Sequence, residues 1–471
     1  MFEKQLSRRR LLKLSALGGS ALLLAACQPR EVAVDEPAVT EAEAEAPGIQ
    51  MAVRTPGQMV YWHPWGGTFG DLVDRIAEAF MEDHPDINVT VTRTDWAVYM
   101  ARLLTGVAAG TPPDAAMVWN AQGRVYTLAD RRAIVPLEAV AEPGELEELE
   151  SAIHPPIWEL GEFEGKVYGV PQWSQAYMLY YNKQLMLEEG VDIDNPPQTF
   201  DELDDLADSL YDFDDRGNLR RIGFNPTWLQ PWMPSFEGQW LDANGDPSLN
   251  HPNNIETLEW MSGYAKRYDW TRISEFRGAQ EGGSPQNPLL IGRYAIEHSG
   301  PWLTGVLLEY KPEDWEYGLW MMPQHPDRPG VSVFTYGDVP CIPRNNRNPE
   351  AAWQFVKYLT GVTNPDAYAA LWSIGRRPHM PISQEVADSS AFARIYEQFP
   401  GFKDFVDFYF SADRYLYAPK IAIADYMVQR MDAWRDRCLL GETTPEEALE
   451  TAQQEVMDEW QRYQAEKLLA Q

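Results

Sequence analysis

Apolar positions along the chain repeat with two periods that alternate. Val60-Tyr61-Trp62 opens a short strand, which Gly66-Gly67 breaks. From Asp71 to Asp83, Leu72, Val73, Ile76, Ala77, Phe80 and Met81 recur at the spacing that lines one helical face. Ile87, Val89 and Val91 then alternate with polar residues, the period of a strand. Tyr99 to Ala109 reads as a helix closed by Gly110 and stopped by Pro112-Pro113, and Ala115 to Trp119 as a buried strand. This order predicts an α/β layer on a mostly parallel sheet.

The same grammar continues downstream. Asn348-Pro349-Glu350 caps a helix carrying Ala351, Ala352, Phe355, Val356 and Leu359, with Pro in the first-turn position that tolerates it. Thr444-Pro445-Glu446-Glu447 is a capping box opening a terminal helix, with Leu449, Ala452, Val456 and Trp460 facing inward. No internal repeat is visible.

The first residues read as an address. The cationic Ser7-Arg8-Arg9-Arg10-Leu11-Leu12-Lys13 precedes an apolar run, Leu14 to Ala26. That run is too short for a mature membrane span, which needs about 20 residues. Leu24-Ala25-Ala26-Cys27 matches a lipobox, so residues 1–26 read as a lipoprotein signal and Cys27 as the lipidated residue. Ser7-Arg8-Arg9 with Leu-Leu-Lys resembles a twin-arginine export signal; an ordinary secretory signal with surplus arginines is the other reading. Residues 27–55, rich in Ala, Glu, Val and Pro, read as a flexible tether. No later stretch is apolar enough to span a bilayer. The expected location is the outer face of the cell membrane, through the lipid alone.

Composition narrows the partners. The 471 residues carry 39 Lys+Arg against 71 Asp+Glu, a formal charge of −32. Nucleic acid and anionic lipid surfaces are therefore disfavoured by repulsion. The 18 Trp and 22 Tyr exceed what a core needs, so some should line a ligand site. Beyond Cys27, Cys341 and Cys438 either pair or are separate buried thiols.

In open α/β sheets, ligands lie beyond the C-terminal strand ends. Trp62, His63 and Trp65 fall in one such loop, and Trp119, Asn120 and Gln122 in another. The sequence carries no signature of catalysis or metal binding. The seven His form no metal-spaced pair, and there is no Cys-x-x-Cys, phosphate loop or nucleophile elbow. Asp212-Phe213-Asp214-Asp215-Arg216-Gly217 starts like a calcium loop but places Arg216 at a ligand position, and reads as a hairpin turn. No cofactor, metal or catalytic residue is expected.

Gly165-Lys166-Val167-Tyr168-Gly169-Val170-Pro171, followed by Leu179-Tyr180-Tyr181-Asn182-Lys183, resembles the family 1 extracellular solute-binding proteins. These are lipoprotein receptors of ABC importers, similar in plan to maltose-binding protein. Pro197-Gln198-Thr199-Phe200-Asp201-Glu202-Leu203, Gly110 to Asp114, Ile291 to Ile296 leading to Gly300-Pro301-Trp302, Pro349 to Leu359 and Thr444 to Leu449 follow in family order. Tyr294-Ala295-Ile296 departs from the more usual Ala-Ala-Met.

The resemblance implies a two-lobed, type II periplasmic-binding fold: two α/β lobes with central sheets joined by hinge crossovers. Lobe 1 would take residues 56–172 and 331–362, lobe 2 residues 173–330 and 363–471. Hinges are expected near Gln172–Tyr177 and Pro323–Ser332. Carried over by position, Trp65, Gly66, Asp95, Trp96, Trp119 and Gln122 belong to the first three strand loops. Trp302, Trp228 and Trp232 belong to lobe 2, and Tyr336, Gly337 and Asp338 to a loop near the cleft. Gln175 stands where a carboxylate often caps sugar hydroxyls. With Asn120, Trp173 and Tyr177 these form a plausible saccharide cleft, since indoles suit the C–H face of a pyranose and amides or carboxylates its hydroxyl rim. Arg376 is placed for an anionic sugar, or for a surface ion pair.

The expected role is capture of a mono- or oligosaccharide by a monomer and delivery to a permease, without catalysis. Three alternatives stay open: a receptor for another solute such as a polyol phosphate, with Arg124, Arg376 and Arg377 as its only hints; a surface polysaccharide-degrading enzyme; or a sensory lipoprotein.

Overall fold

The computed structural model describes residues 57–279, 283–365, 368–369, 371–372 and 378–469. Cys27, Arg376 and Arg377 lie outside them. In chain order the elements that position the site are β1 (Gln58–His63), α1 (Gly67–Asp83), β2 (Asn88–Arg93), α2 (Trp96–Ala108), β3 (Ala115–Trp119) and α3 (Arg124–Asp130). There follow β4 (Trp173–Gln175), β5 (Met178–Asn182), α4 (Phe200–Leu210), α5 (Pro252–Tyr268), β6 (Ile296–Ser299), α6 (Trp302–Tyr310) and β7 (Tyr317–Trp320). The last group is β8 (Ser332–Phe334), β9 (Tyr336–Cys341), α7 (Pro349–Leu359), β10 (Arg414–Leu416), α8 (Ala424–Leu439) and α9 (Pro445–Leu469).

The first lobe is built on a five-stranded sheet, ordered β2-β1-β3-β9-β4. β1 runs parallel to β2 and β3, as the alternating pattern predicts. β9 is antiparallel to both β3 and β4. The expectation of a mostly parallel sheet therefore holds only for its first three strands. The chain leaves this sheet after β4 and comes back to it as β9, which runs the other way. The second lobe carries β6-β5-β7, with both pairings antiparallel. A short parallel pair, β8 with β10, adds Ser332 opposite Arg414.

Local chemistry sets the helix starts. α2 begins at Trp96, ahead of the expected Tyr99, because the Asp95 carboxylate accepts from the Ala97 N–H at 2.9 Å and caps the first turn. Gly66, read as a strand breaker, is the N-cap position of α1. The capping boxes of α4 and α9 both form: Glu202 N–H donates to Thr199 Oγ1, and Glu447 N–H to Thr444 Oγ1, each at 3.2 Å. The Asp214 carboxylate accepts from the backbone N–H of Arg216 and Asn218, which closes the predicted hairpin turn.

Apolar faces are buried in two clusters, the larger of which runs through both lobes. Tyr61, Leu72, Ile76, Phe80, Val118 and Phe355 fill the first core between the sheet and α1 and α7. Leu179, Leu203, Ala207, Phe224, Trp232 and Tyr264 fill the second. Burying such a side chain contributes about 1.5–3 kcal/mol each. Asp114 ties β1 to the start of α7: its buried carboxylate accepts from Val60, Arg347 and Asn348 N–H, each at 2.8 Å. Cys341 and Cys438 are buried free thiols and do not pair. Among the described residues, no helix is long and apolar enough to cross a membrane.

Candidate binding cleft

Strand register gathers the site. β1, β2 and β3 are parallel, so their C-terminal ends share one edge of the sheet and carry Trp65, Trp96 and Trp119 in the segments that follow or close them. β9 starts at that same edge, with Asp338 opposite Trp119. β4 ends there, with Gln175 opposite Tyr336. Six of the expected ligand residues are thus neighbours although they are scattered through the sequence.

The rings run as a continuous wall. Centroids of Trp65 and Trp96 are 4.9 Å apart, and those of Trp96 and Trp119 5.7 Å. Trp119 meets Tyr336 edge-on at 5.7 Å and, across to the second lobe, Trp228 at 6.1 Å. Tyr177 continues the wall to Trp228 at 6.3 Å and to Trp302 at 5.6 Å. Trp96 and Trp228 keep 43% and 40% of their surface exposed, uncommon for indoles with so much apolar area.

Individual contacts set the ring orientations. The Trp65 backbone N–H donates to His63 Nδ1 at 3.2 Å. His63 is the last residue of β1, as Trp62 is its fifth, so neither lies in the loop. Burial, with Arg93 nearby, pushes the His63 imidazole down to about 4, which keeps it neutral and able to accept. Trp302 folds back over Gly300, where a β-carbon would lie 1.9 Å from the indole. Tyr180 Oη donates to the Gly300 carbonyl at 3.1 Å and holds that turn.

Asp338 is the buried carboxyl of the cleft. Desolvation pushes it up to about 8. The indole N–H groups of Trp173 and Trp65 face it and pull the other way, without closing to full hydrogen bonds. Asp338 Oδ2, Trp65 Nε1, Gln175 Oε1 and Gln122 Oε1 are buried atoms without a hydrogen-bond partner among the described residues. Buried polar atoms left in this condition are rare and cost about 1–3 kcal/mol each.

Several residues play a different part from the one expected. Trp232 does not face the cleft. It is 0% exposed, packed among Phe200, Phe224, Trp260 and His298, and backs the wall from within the second core. Trp173 is also fully buried, stacked on His379 at 4.5 Å. Asn120 is engaged internally: Oδ1 accepts from Val125 N–H at 3.0 Å and Nδ2 donates to the Leu160 carbonyl at 2.8 Å. Gly337 is a packing position, since a β-carbon there would meet the Trp173 carbonyl at 2.5 Å. Gly66 is exposed with open space around it. Arg124 lies 5.8 Å over the Trp119 ring and pairs with Asp425 at 3.3 Å.

Two residues enter that sequence reasoning missed. His379 Nδ1 is 2.9 Å from Gln175 Nε2, and its ring meets Phe69 at 4.7 Å. Met380 pairs with Ser174, which brings this late segment to the first sheet. His298, expected to be structural, is sandwiched between Tyr177 at 4.6 Å and Trp232 at 4.5 Å. Burial pushes its imidazole down to about 3. No group of side chains able to hold a metal occurs among the described residues.

Known proteins share this plan. The maltotriose-binding protein of Pyrococcus abyssi is 24% identical over 319 residues, 67% of this chain and 64% of that protein's length. An sn-glycerol-3-phosphate-binding periplasmic protein, UgpB of Escherichia coli, is 22% identical over 381 residues, 76% of this chain and 82% of its own. The solved structure of CpMnBP1 with mannotriose bound superimposes with a TM-score of 0.74 at 25% identity, covering 85% of this chain and 99% of that one. All three are named as binding proteins or solved with a ligand bound, and the structural likeness carries the two-lobed, type II fold. Residues 75–399 match the model of the bacterial extracellular solute-binding proteins, and the chain belongs to that family.

Proposed function

We propose that the protein captures a carbohydrate, a mono- or oligosaccharide, between its two lobes and hands it intact to an ABC permease. The observation that carries this is the ring wall from Trp65 through Trp96 and Trp119 to Trp228, Tyr177 and Trp302, which draws on both lobes. Indole faces match the C–H face of a pyranose at little rotamer cost. The unpartnered Gln175 Oε1, Asp338 Oδ2 and Gln122 Oε1 are acceptors, and Trp65 Nε1 is a donor, which suits a ring of hydroxyls. The maltotriose and mannotriose ligands of the relatives point the same way.

A second reading, a polyol phosphate receptor, is favoured by the likeness to the glycerol-phosphate-binding protein. A phosphate needs cations or aimed N–H donors. Arg124 is already matched by Asp425.

On this reading the lobes are 56–172 with 331–362 and 173–330 with 363–471, except that β4 (Trp173–Gln175) pairs in the first sheet, so the first crossing falls after Gln175. The first hinge is supported by the short link between β4 in one sheet and β5 in the other, Ala176 and Tyr177. Closure would shift an open–closed equilibrium and present the closed face to the permease. No bond is made or broken. Membership of an extracellular family supports export. The lipobox supports anchoring through Cys27, and a Cys27→Ser variant should leave the membrane fraction.

A thermal-shift screen against saccharides, polyols and sugar phosphates tests the assignment. A ligand at 100 times its dissociation constant adds about 2.7 kcal/mol. Stabilisation by a saccharide recovered intact supports the receptor. Recovery of cleaved product would move the enzyme reading forward, and a shift by phosphates alone would replace saccharide with polyol phosphate.

A further inference from the structure

The aromatic wall does not stop at the sheet edge. α2 leaves that edge at Trp96, and Met100 and Leu104 follow at four and eight residues, on the same helical face. That stripe runs roughly 12 Å along the helix. It borders a groove of about 400 Å³. Arg124 and Thr127 of α3 also line this groove, as do Tyr426 and Gln429 of α8.

Groove and wall adjoin at Arg124, which lines the groove, lies over Trp119 on one side and pairs with Asp425 on the other. Gly123 makes the junction possible. A β-carbon there would lie 2.4 Å from that of Ala424, so the start of α8 is seated directly against the turn that follows β3. Thr127 Oγ1 is buried and has no hydrogen-bond partner among the described residues. The groove thus joins an apolar side, an unused hydroxyl, an exposed Gln429 amide held by Asp425 at 2.9 Å, and an ion pair. Charges of both signs, Arg131 and Glu459, complete its lining. A lipid or an apolar helix would bury those polar groups unmatched.

We propose that this groove holds the distal rings of an oligosaccharide whose first rings lie on the Trp65–Trp96–Trp119 wall, so that the receptor selects for chain length. The proposal rests on the saccharide reading above. Met100 and Leu104 meet C–H faces. Thr127, Gln429 and the Arg124–Asp425 pair read hydroxyls, the pair offering donors and acceptors side by side.

Isothermal titration of the full chain with the maltose and the mannose oligomer series, from monosaccharide to hexasaccharide, tests it. In the series that binds, affinity should rise about tenfold or more between disaccharide and tetrasaccharide and then level off. A Thr127→Val, Gln429→Ala double variant should weaken the tetrasaccharide about tenfold more than the disaccharide. Should that variant melt early, the exposed Gln429→Ala alone serves for the same comparison. Affinity independent of length, or equal losses for short and long ligands, overturns the groove while leaving the wall. Binding of sn-glycerol 3-phosphate with no oligomer bound overturns both.

Discussion

The hydroxyls of Tyr177 and Tyr336 lie 3.0 Å apart, with both rings buried. Tyr336 opens β9 in the first sheet, and Tyr177 sits in the link that leads to the second. This hydrogen bond therefore pins the crossing segment at the back of the cleft, where Tyr177 also supports Trp228 and Trp302. Tyr177→Phe leaves the Tyr336 hydroxyl buried and unmatched, and should cost about 1–3 kcal/mol in denaturant unfolding. Replacing both by Phe should cost less than the two single changes together, a coupling that a double-mutant cycle reads directly.

Trp228 and Trp232 lie four residues apart and should fail in opposite ways. Trp228 is 40% exposed on the wall, whereas Trp232 is 0% exposed in the second core. Trp228→Ala should weaken saccharide binding about tenfold or more with little change in the unfolding midpoint. Trp232→Ala should lose about 3–5 kcal/mol of stability through the cavity it leaves. Calorimetric titration paired with urea melts separates the two.

Gly300→Ala tests the seat of Trp302. The added methyl would fall 1.9 Å from the indole, so the ring must swing away. The variant should bind saccharide as weakly as Trp302→Ala does, while circular dichroism remains that of the wild type. Wild-type affinity would show that Trp302 takes no part.

Asp338 makes stability depend on pH. Its carboxyl rises from the ordinary 3.8 to about 8, so between those values the folded state holds a proton that the unfolded chain releases. Stability from this group is present at low pH and is lost as pH rises through that window. His63, pushed down from 6.5 to about 4, acts oppositely: the unfolded chain binds the proton first, and stability grows as pH rises across its window. The wild-type curve mixes these with His298, pushed down to about 3 by burial, and Glu297, pushed up to about 7. Asp338→Asn removes only the first, so the variant should lose less stability than the wild type when melts at pH 5 and pH 8 are compared. Parallel curves would contradict the buried, protonated carboxyl.

The first three strands and two helices were legible because each shows its own period within a few residues. Trp65 and Trp119 stood out for a related reason, since parallel strands put their C-terminal ends together and the loops could be counted; Trp96 was carried over from the family resemblance. The antiparallel β9 was not, because pairing Val339 with Val118 joins segments that no local pattern connects. Trp232 was carried over from the family resemblance together with Trp228; the turn before the short 3₁₀ helix Met233–Phe236 directs it inward while Trp228 stays out. His379 and Phe69 escaped because nothing local marks the pairing of Met380 with Ser174 that carries His379 to the site. Asn120 shows the limit of residue type as a guide, since an amide suited to a sugar hydroxyl is occupied by its own backbone.

The position of β9 separates the order of synthesis from the order of folding. β3 keeps an unpaired edge until the chain has laid down the whole second sheet and returned with Tyr336. α5 likewise waits for α8 and α9 to pack against it. Contacts this distant in sequence close slowly. A nascent chain stopped before Tyr336 has neither lobe complete, and the aromatic wall closes among the last parts of the molecule to form.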